Sequence, residues 1–318
     1  MPMSLLLCLG DIDPVNWRKA FKAALPDHVD VVTRDDADFD PSAVRYMYVW
    51  KPAADAFDGL DNLEVIFSLG AGVDPIVAHP KLPRNVPLSR FVDEDLTTRM
   101  TDYVVAQVTL HQRQTTYYMA LQKAREWVQY YPPAANECRV GIMGLGALGA
   151  DAAEKLVGLG FTVLGWSRNH KDLPGVESFA GPGQLDAFLS KTDILVCLLP
   201  LTEDTRGMLD YELFTKLRRD GLKTGPVVVN AARGGHLIEK DLVRALEDGT
   251  LGAASLDVFE VEPLPGDSPL WAIENCLITP HIAAISSVHR GVRFVVDGIA
   301  RHEAGEPLEN LVDLDVGY

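Results

Sequence analysis

Gly144-Leu145-Gly146-Ala147-Leu148-Gly149 directly follows an apolar run, residues 140–143, and opens a helix-compatible run that extends through Leu159. A second apolar run, residues 161–165, comes next. Strand, glycine turn, helix and strand in that order begin a dinucleotide-binding fold, and each glycine has its own task there. Gly144 permits the tight turn, Gly146 lets a pyrophosphate approach the backbone, and Gly149 lets helix and strand pack closely. The whole loop, Ala147 and Leu148 included, is therefore expected to contact a dinucleotide.

The end of the second strand bears on which dinucleotide. An NAD-selective site usually presents a carboxylate there, about 20 residues on, to the ribose hydroxyls. This chain has Trp166-Ser167-Arg168-Asn169 instead. A hydroxyl and a guanidinium suit a 2′-phosphate better than a free diol, so NADP(H) is expected to be preferred, with NAD(H) possible. The plainer alternative for Arg168 is a surface arginine in a turn.

Working outward, residues 194–199, 227–231, 253–258 and 276–279 read as further strands, most of them separated by helical segments, as in a doubly wound sheet. Upstream, residues 4–9, 29–32, 45–50 and 65–69 read as the strands of a second, smaller parallel sheet, with a helix over 14–25. Residues 96–127 read as helical, Tyr103, Val104, Val108 and Leu110 forming part of an apolar face, and Pro132-Pro133 breaks the region. The glycine loop comes unusually late in the chain, and a helix-like tail, residues 288–304, follows the last strand. The expected fold is α/β with two doubly wound parallel-sheet domains. A Rossmann-type dinucleotide-binding domain, 101–285, is inserted into a flavodoxin-like substrate domain made of 1–100 and 286–318. The active site is expected in the cleft between them.

The composition agrees with such an enzyme. A chain of 318 residues, 47% hydrophobic and 23% charged, is long enough for two domains with substantial cores. Its 29 basic residues against 45 acidic ones leave a net charge of −16, which argues against nucleic acid or an anionic membrane as partner. Cys8, Cys138, Cys197 and Cys276 form no C-x-x-C pair and no metal spacing with histidine, so no metal is expected. Residues 5–9 are too short to span a membrane, and no basic region precedes them as in a signal peptide. A reducing cytoplasm is the expected compartment.

Three residues past the glycine loop carry the chemistry. They are Arg233 in Asn230-Ala231-Ala232-Arg233-Gly234-Gly235, then Glu262, then His281 in Thr279-Pro280-His281. A guanidinium grips a carboxylate and polarises a ketone. An imidazole delivers a proton to the developing alkoxide, and a carboxylate keeps that imidazole charged and aimed. Each has a plainer alternative: an arginine after a buried strand caps a helix, a lone histidine is structural, and a glutamate in a proline-containing loop is solvated. Their joint occurrence after a dinucleotide loop favours a reductase of 2-oxo acids. The remaining histidines, His236 among them, are read as structural.

These stretches resemble the D-isomer-specific 2-hydroxyacid dehydrogenase family, most closely its glyoxylate/hydroxypyruvate reductase A branch. The resemblance rests on Leu69-Gly70-Ala71-Gly72-Val73-Asp74, on Arg90 followed by Met100 and Tyr103, and on the glycine loop. It continues through Trp166-Ser167-Arg168, Leu199-Pro200-Leu201-Thr202, residues 230–235, Leu256-Asp257-Val258-Phe259, Glu262-Pro263-Leu264-Pro265 and Thr279-Pro280-His281. It implies that Arg233 binds the substrate, that His281 is the acid/base and that Glu262 is its partner. It further implies that Leu199, Pro200, Ala231, Ala232 and Asp257 lie along the cofactor, Asp257 near the nicotinamide. On the substrate side it implies backbone N–H groups from Gly70, Ala71 and Gly72, a pocket lined by Trp50, and Arg90. A homodimer built on the aromatic-rich region 117–131 is implied as well. Lys51 departs from the branch, where histidine is expected, and the departure bears on substrate preference. An NAD-dependent enzyme for a larger substrate and a non-enzymatic NAD(H)-sensing scaffold are the alternatives. Formate dehydrogenase, by resemblance, has glutamine where this chain has Glu262.

Overall fold

Strands whose side chains alternate between two apolar faces build the first sheet. β1 (Met3–Cys8), β2 (Val29–Val32), β3 (Val44–Val49), β4 (Val65–Ser68) and β5 (Leu88–Ser89) lie in the order β2-β1-β3-β4-β5. Every neighbouring pair is parallel. Leu5, Tyr46, Tyr48 and Phe67 point into one buried cluster, and Leu6, Met47, Val49 and Ile66 into another. That is the period of two expected of a sheet covered on both faces. Helix α1 (Val15–Ala24) packs Trp17 and Phe21 onto the first cluster, and the short α2 (Asp74–Val77) sets Ile76 in the second.

The computed structural model describes residues 3–315 and residue 317. It divides into two units, one made of the residues up to Glu94 and from Ser286 onward, the other of Asp95–Ile285. The second unit follows α3 (Glu94–Gln112) and α4 (Thr115–Ala124) with a longer sheet. Its successive elements are β6 (Arg139–Met143), α5 (Ala147–Gly158), β7 (Thr162–Ser167), β8 (Val176–Ala180), α6 (Leu185–Leu189) and β9 (Ile194–Cys197). They are followed by α7 (Tyr211–Thr215), β10 (Val227–Asn230), α8 (Glu239–Glu247), β11 (Ala253–Leu256) and β12 (Cys276–Ile278). The seven strands are parallel in the order β12-β11-β10-β9-β6-β7-β8. Strand order therefore reverses between β6 and β9, which is where doubly wound sheets bind their ligands. The chain then returns through α9 (Val288–Glu303), whose Val292, Val295 and Ile299 join the core of the first sheet.

Two features depart from the sequence reading. The helix expected over 96–127 is two helices, because Gln114 takes the left-handed region (φ 57°) between them and Arg125 does so (φ 60°) after Ala124. Side-chain amides replace the backbone ladder at the break: Gln114 Nε2 donates to His111 O at 3.0 Å, and Gln112 Nε2 donates to Pro133 O. The strands β5 and β8 were not anticipated; both lie at sheet edges, where weak alternation suffices. Among the described residues no helix is long and apolar enough to cross a membrane, and no group of His, Cys, Asp and Glu could hold a metal ion.

Candidate active site

The turn after β6 is shaped for a pyrophosphate. Gly144 has φ 99°, and a Cβ there would lie 2.7 Å from Leu198 O, so only glycine lets this turn meet the chain leaving β9. A Cβ on Gly149 would sit 1.8 Å from Gly144 O, so the third glycine brings α5 against the turn. A Cβ on Gly146 would meet nothing within 4 Å, which leaves that side open. Helix α5 begins there without a side-chain cap, and the N–H groups of an uncapped first turn favour an anion. Backbone cradle, open side and uncapped helix together fit a dinucleotide. Leu199 and Pro200 leave β9 beside this loop, while Ala231 and Ala232 leave β10 and are buried.

Ser167 ends β7 and is buried, and its hydroxyl donates to Asn169 O at 2.7 Å. A hydroxyl has one proton, so the donor expected for a 2′-phosphate is already used to shape the turn. The next residue, Arg168, is exposed.

The polar residues after β10, β11 and β12 come from three strand ends. Asn230 is fully buried: its Nδ2 donates to Arg233 O at 3.0 Å and its Oδ1 accepts from Ala232 N at 3.2 Å. This clamp presents Arg233 in extended backbone conformation, one guanidinium N–H donating to Ala232 O at 2.7 Å. A Cβ on Gly234 would lie 1.8 Å from the Phe259 carbonyl carbon, so glycine alone lets the arginine turn press against the loop that leads to Glu262. On that loop Glu262 Oε1 accepts from Phe259 N at 3.2 Å, which leaves Oε2 2.9 Å from His281 Nδ1.

His281 sits at φ 56°, a left-handed conformation that costs a non-glycine residue about 1–2 kcal/mol. Asp257 holds it there. The Asp257 carbonyl accepts from His281 N at 2.8 Å. Its carboxylate accepts from Ile282 N and Ala283 N, each at 2.9 Å, and from the Thr279 hydroxyl at 2.6 Å. Because Thr279 gives its proton to Asp257, Tyr103 on α3 donates its own to Thr279 Oγ1 at 2.9 Å. Burial pushes the Tyr103 phenol up to about 12, so it stays a donor.

In the first unit, Ser68 Oγ donates to Gly70 O and Ser286 Oγ donates to Leu69 O, both at 2.8 Å. Gly70, Ala71 and Gly72 follow these anchors. The half-buried Trp50 ring lies flush on Gly70, 2.8 Å from where a Cβ would be. Arg90 is fixed through its backbone N–H to Asn310 O at 3.1 Å.

The sequence profile described as the NAD binding domain of D-isomer specific 2-hydroxyacid dehydrogenases matches residues 105–283. The chain belongs to the D-isomer-specific 2-hydroxyacid dehydrogenase family. It is an NAD(P)-dependent oxidoreductase. The glyoxylate/hydroxypyruvate reductase A of Escherichia fergusonii is 39% identical over 321 residues, covering 99% of this chain and 100% of the relative. A crystal structure of an NADPH-dependent glyoxylate/hydroxypyruvate reductase from Sinorhizobium meliloti, in complex with NADP and sulfate, has a TM-score of 0.93. It is 46% identical and covers 99% of this chain and 100% of that one. A probable 2-hydroxyacid dehydrogenase from Rhizobium etli, in complex with NADP, HEPES and L(+)-tartaric acid, has a TM-score of 0.91 at 49% identity, with 99% and 100% covered.

Within this dehydrogenase, sequence reasoning overlooked the residues that hold the site rather than form it. Asn230 and Ser68 bond backbone groups within their own turns, whereas Thr279 and Ser286 find their partners, Asp257 and Leu69, far along the chain, where no local pattern marks them. His236 was read as structural and is fully buried in the Arg233 turn.

Proposed function

We propose that this dehydrogenase reduces a small 2-oxo acid, glyoxylate or hydroxypyruvate, with NADPH, giving the D-2-hydroxy acid where the product is chiral. The observation that carries the reading is the 2.9 Å contact between Glu262 Oε2 and His281 Nδ1 in the unit that holds the glycine loop. A carboxylate accepting from Nδ1–H commits that nitrogen and makes Nε2 the atom that gives a proton to the developing alkoxide. Arg233 grips the substrate carboxylate with its planar fork and polarises the ketone. In the first unit, Gly70, Ala71 and Gly72 are assigned N–H groups for a substrate carboxylate, and Trp50 and Arg90 the limiting of what fits. Asp257 sets the backbone of His281 and stands beside the nicotinamide. The first unit is accordingly the substrate domain and the second the dinucleotide domain. Bound NADPH supplies the hydride.

NADPH is favoured over NADH because β7 ends without a carboxylate to repel a 2′-phosphate and carries Arg168 to pair with it. Relatives in complex with NADP support the choice. A charge-assisted contact of this kind is worth roughly 1.5–3 kcal/mol, or about 10- to 150-fold. Oxidation of NADPH and NADH should be followed against 2-oxo acids of increasing side-chain size. We expect NADPH with glyoxylate or hydroxypyruvate to give the highest kcat/KM, and Arg168→Ala to erase most of the cofactor preference. Faster turnover of bulky substrates with NADH would overturn this assignment.

The stretch 125–131 supports a homodimer. Trp127 is 94% exposed and Tyr131 89% exposed, an apolar display that a second copy would cover. Sedimentation at micromolar concentration should give twice the chain mass, and Trp127→Glu should lower it; a monomeric wild type would end the idea.

A further inference from the structure

We propose that His236 is a positioning residue that ties the Arg233 turn to the loop carrying Pro200, and so sets the substrate guanidinium relative to the dinucleotide loop. The inference rests on the assignment of Arg233 to substrate and of Pro200 to cofactor made above.

The ring has no solvent exposure, and both of its nitrogens face backbone carbonyls. Nδ1 lies 3.1 Å from Arg233 O and Nε2 lies 3.3 Å from Pro200 O, and the ring donates to both only when each nitrogen carries a proton, since a neutral imidazole has a single N–H. These carbonyls belong to different strand ends. The ladder between β9 and β10 closes at the pair Asn230 and Cys197, and beyond it the two chains diverge. The His236 side chain reaches across that divergence. The backbone that carries the ring is itself anchored, since Gly207 N donates to Gly235 O and Leu209 N to His236 O, each at 2.9 Å. Arg233 O also accepts from Asn230 Nδ2 at 3.0 Å and from the backbone His236 N at 3.2 Å, and Pro200 O from the Thr205 hydroxyl at 2.8 Å.

Packing alone does not call for this residue. A buried imidazole carries a desolvation cost that phenylalanine or leucine would avoid, so its polar ends are retained for what they hold. One end acts on the turn of the substrate arginine and the other on the cofactor loop, so the two effects are separable.

Asparagine places an amide nitrogen near Nδ1 of histidine, and glutamine places one near Nε2. His236→Asn should keep the glyoxylate KM and raise the NADPH Kd, read by fluorescence titration, about 10-fold for one lost hydrogen bond. His236→Gln should do the reverse, keeping the NADPH Kd while raising glyoxylate KM and lowering kcat about 10-fold. Constants that fall together in proportion to the loss of Tm, or that do not move, would overturn the proposal. Arg233→Lys is measured alongside. If its glyoxylate kinetics match wild type, the assignment of Arg233 fails, whereas a parallel loss in both His236 variants with Arg233→Lys impaired defeats the His236 proposal alone. Should the variants not fold, the wild-type enzyme serves. Imidazole ¹⁵N shifts of His236 should move at Nδ1 on adding oxalate and at Nε2 on adding NADP, and a ring indifferent to both would overturn the tie.

Discussion

Two histidines in the Asp95–Ile285 unit show how the same ring is given opposite work. His281 lies on the loop after β12, its side chain 29% exposed, with Nδ1 against the carboxylate of Glu262. His111 lies in α3, 2% exposed, with Nε2 2.8 Å from Ser255 Oγ on β11. Ser255 gives its own proton to Gln107 Oε1 at 2.8 Å, so it can only accept from the ring. Burial pulls the His111 pKa down to about 4, and the ring is a neutral strut between helix and strand. The contrast teaches that neither residue type nor a hydrogen bond marks a catalytic histidine. Of these two rings only His281 has a carboxylate on one nitrogen, and the proposed acid/base role rests on that contact.

The sharpest way to break this contrast is to replace each ring by an amide. His281→Asn keeps a donor but has no transferable proton, and should cost roughly 10²–10⁴ in kcat with NADPH binding intact. A variant that reduced glyoxylate at near wild-type rate would remove His281 from the chemistry. Glu262→Gln is the next largest effect. An amide can offer the imidazole either an oxygen or an N–H and supplies no charge, so the ring loses its fixed tautomer. We expect a loss of roughly 10- to 100-fold in kcat with the NADPH Kd unchanged, and no loss would show the carboxylate to be incidental.

His111→Gln, which retains a donor near Nε2, should leave kcat within about 2-fold, and its signature lies in stability instead. The folded-state pKa of His111, about 4, is below its ordinary value of 6.5, so the unfolded chain binds the proton first as pH falls. The contribution is therefore fully present above pH 6.5 and is lost as pH drops through 6.5 toward 4. It amounts to roughly 3 kcal/mol over the window. Denaturant titrations should show a shallower acid-side loss in His111→Gln than in wild type over that range. Equal slopes would mean that the buried ring is not what titrates, and a large fall in kcat would erase the distinction from His281.

What could be read early and what could not follows from how local each cause is. The glycine loop was legible because its constraints act within a few residues: a turn at Gly144, an open side at Gly146, a close approach at Gly149. The strands other than β5 and β8 were legible because parallel strands covered on both faces are near-continuous apolar runs, as in residues 227–229. The break at Gln114 was not. Nothing in the sequence from Leu96 to Trp127 interrupts a helical pattern, and a glutamine takes the left-handed region only where buried partners stabilise it.

The site divides in the same way. Which residues have suitable chemistry, and in what order they follow the dinucleotide loop, is written in the chain itself, because acidity, basicity and the guanidinium fork belong to the side chain. Glycine's freedom and the apolar periodicity that selects two parallel sheets are equally intrinsic to the sequence. The tertiary structure alone decided that Glu262 Oε2 stands 2.9 Å from His281 Nδ1, and that Asp257 holds His281 in a left-handed turn. It alone set His236 between two strand ends. Those outcomes depend on hydrogen bonds between groups far apart along the chain. Their donors and acceptors meet only after the strands have aligned in register, and burial then makes each unmet partner costly.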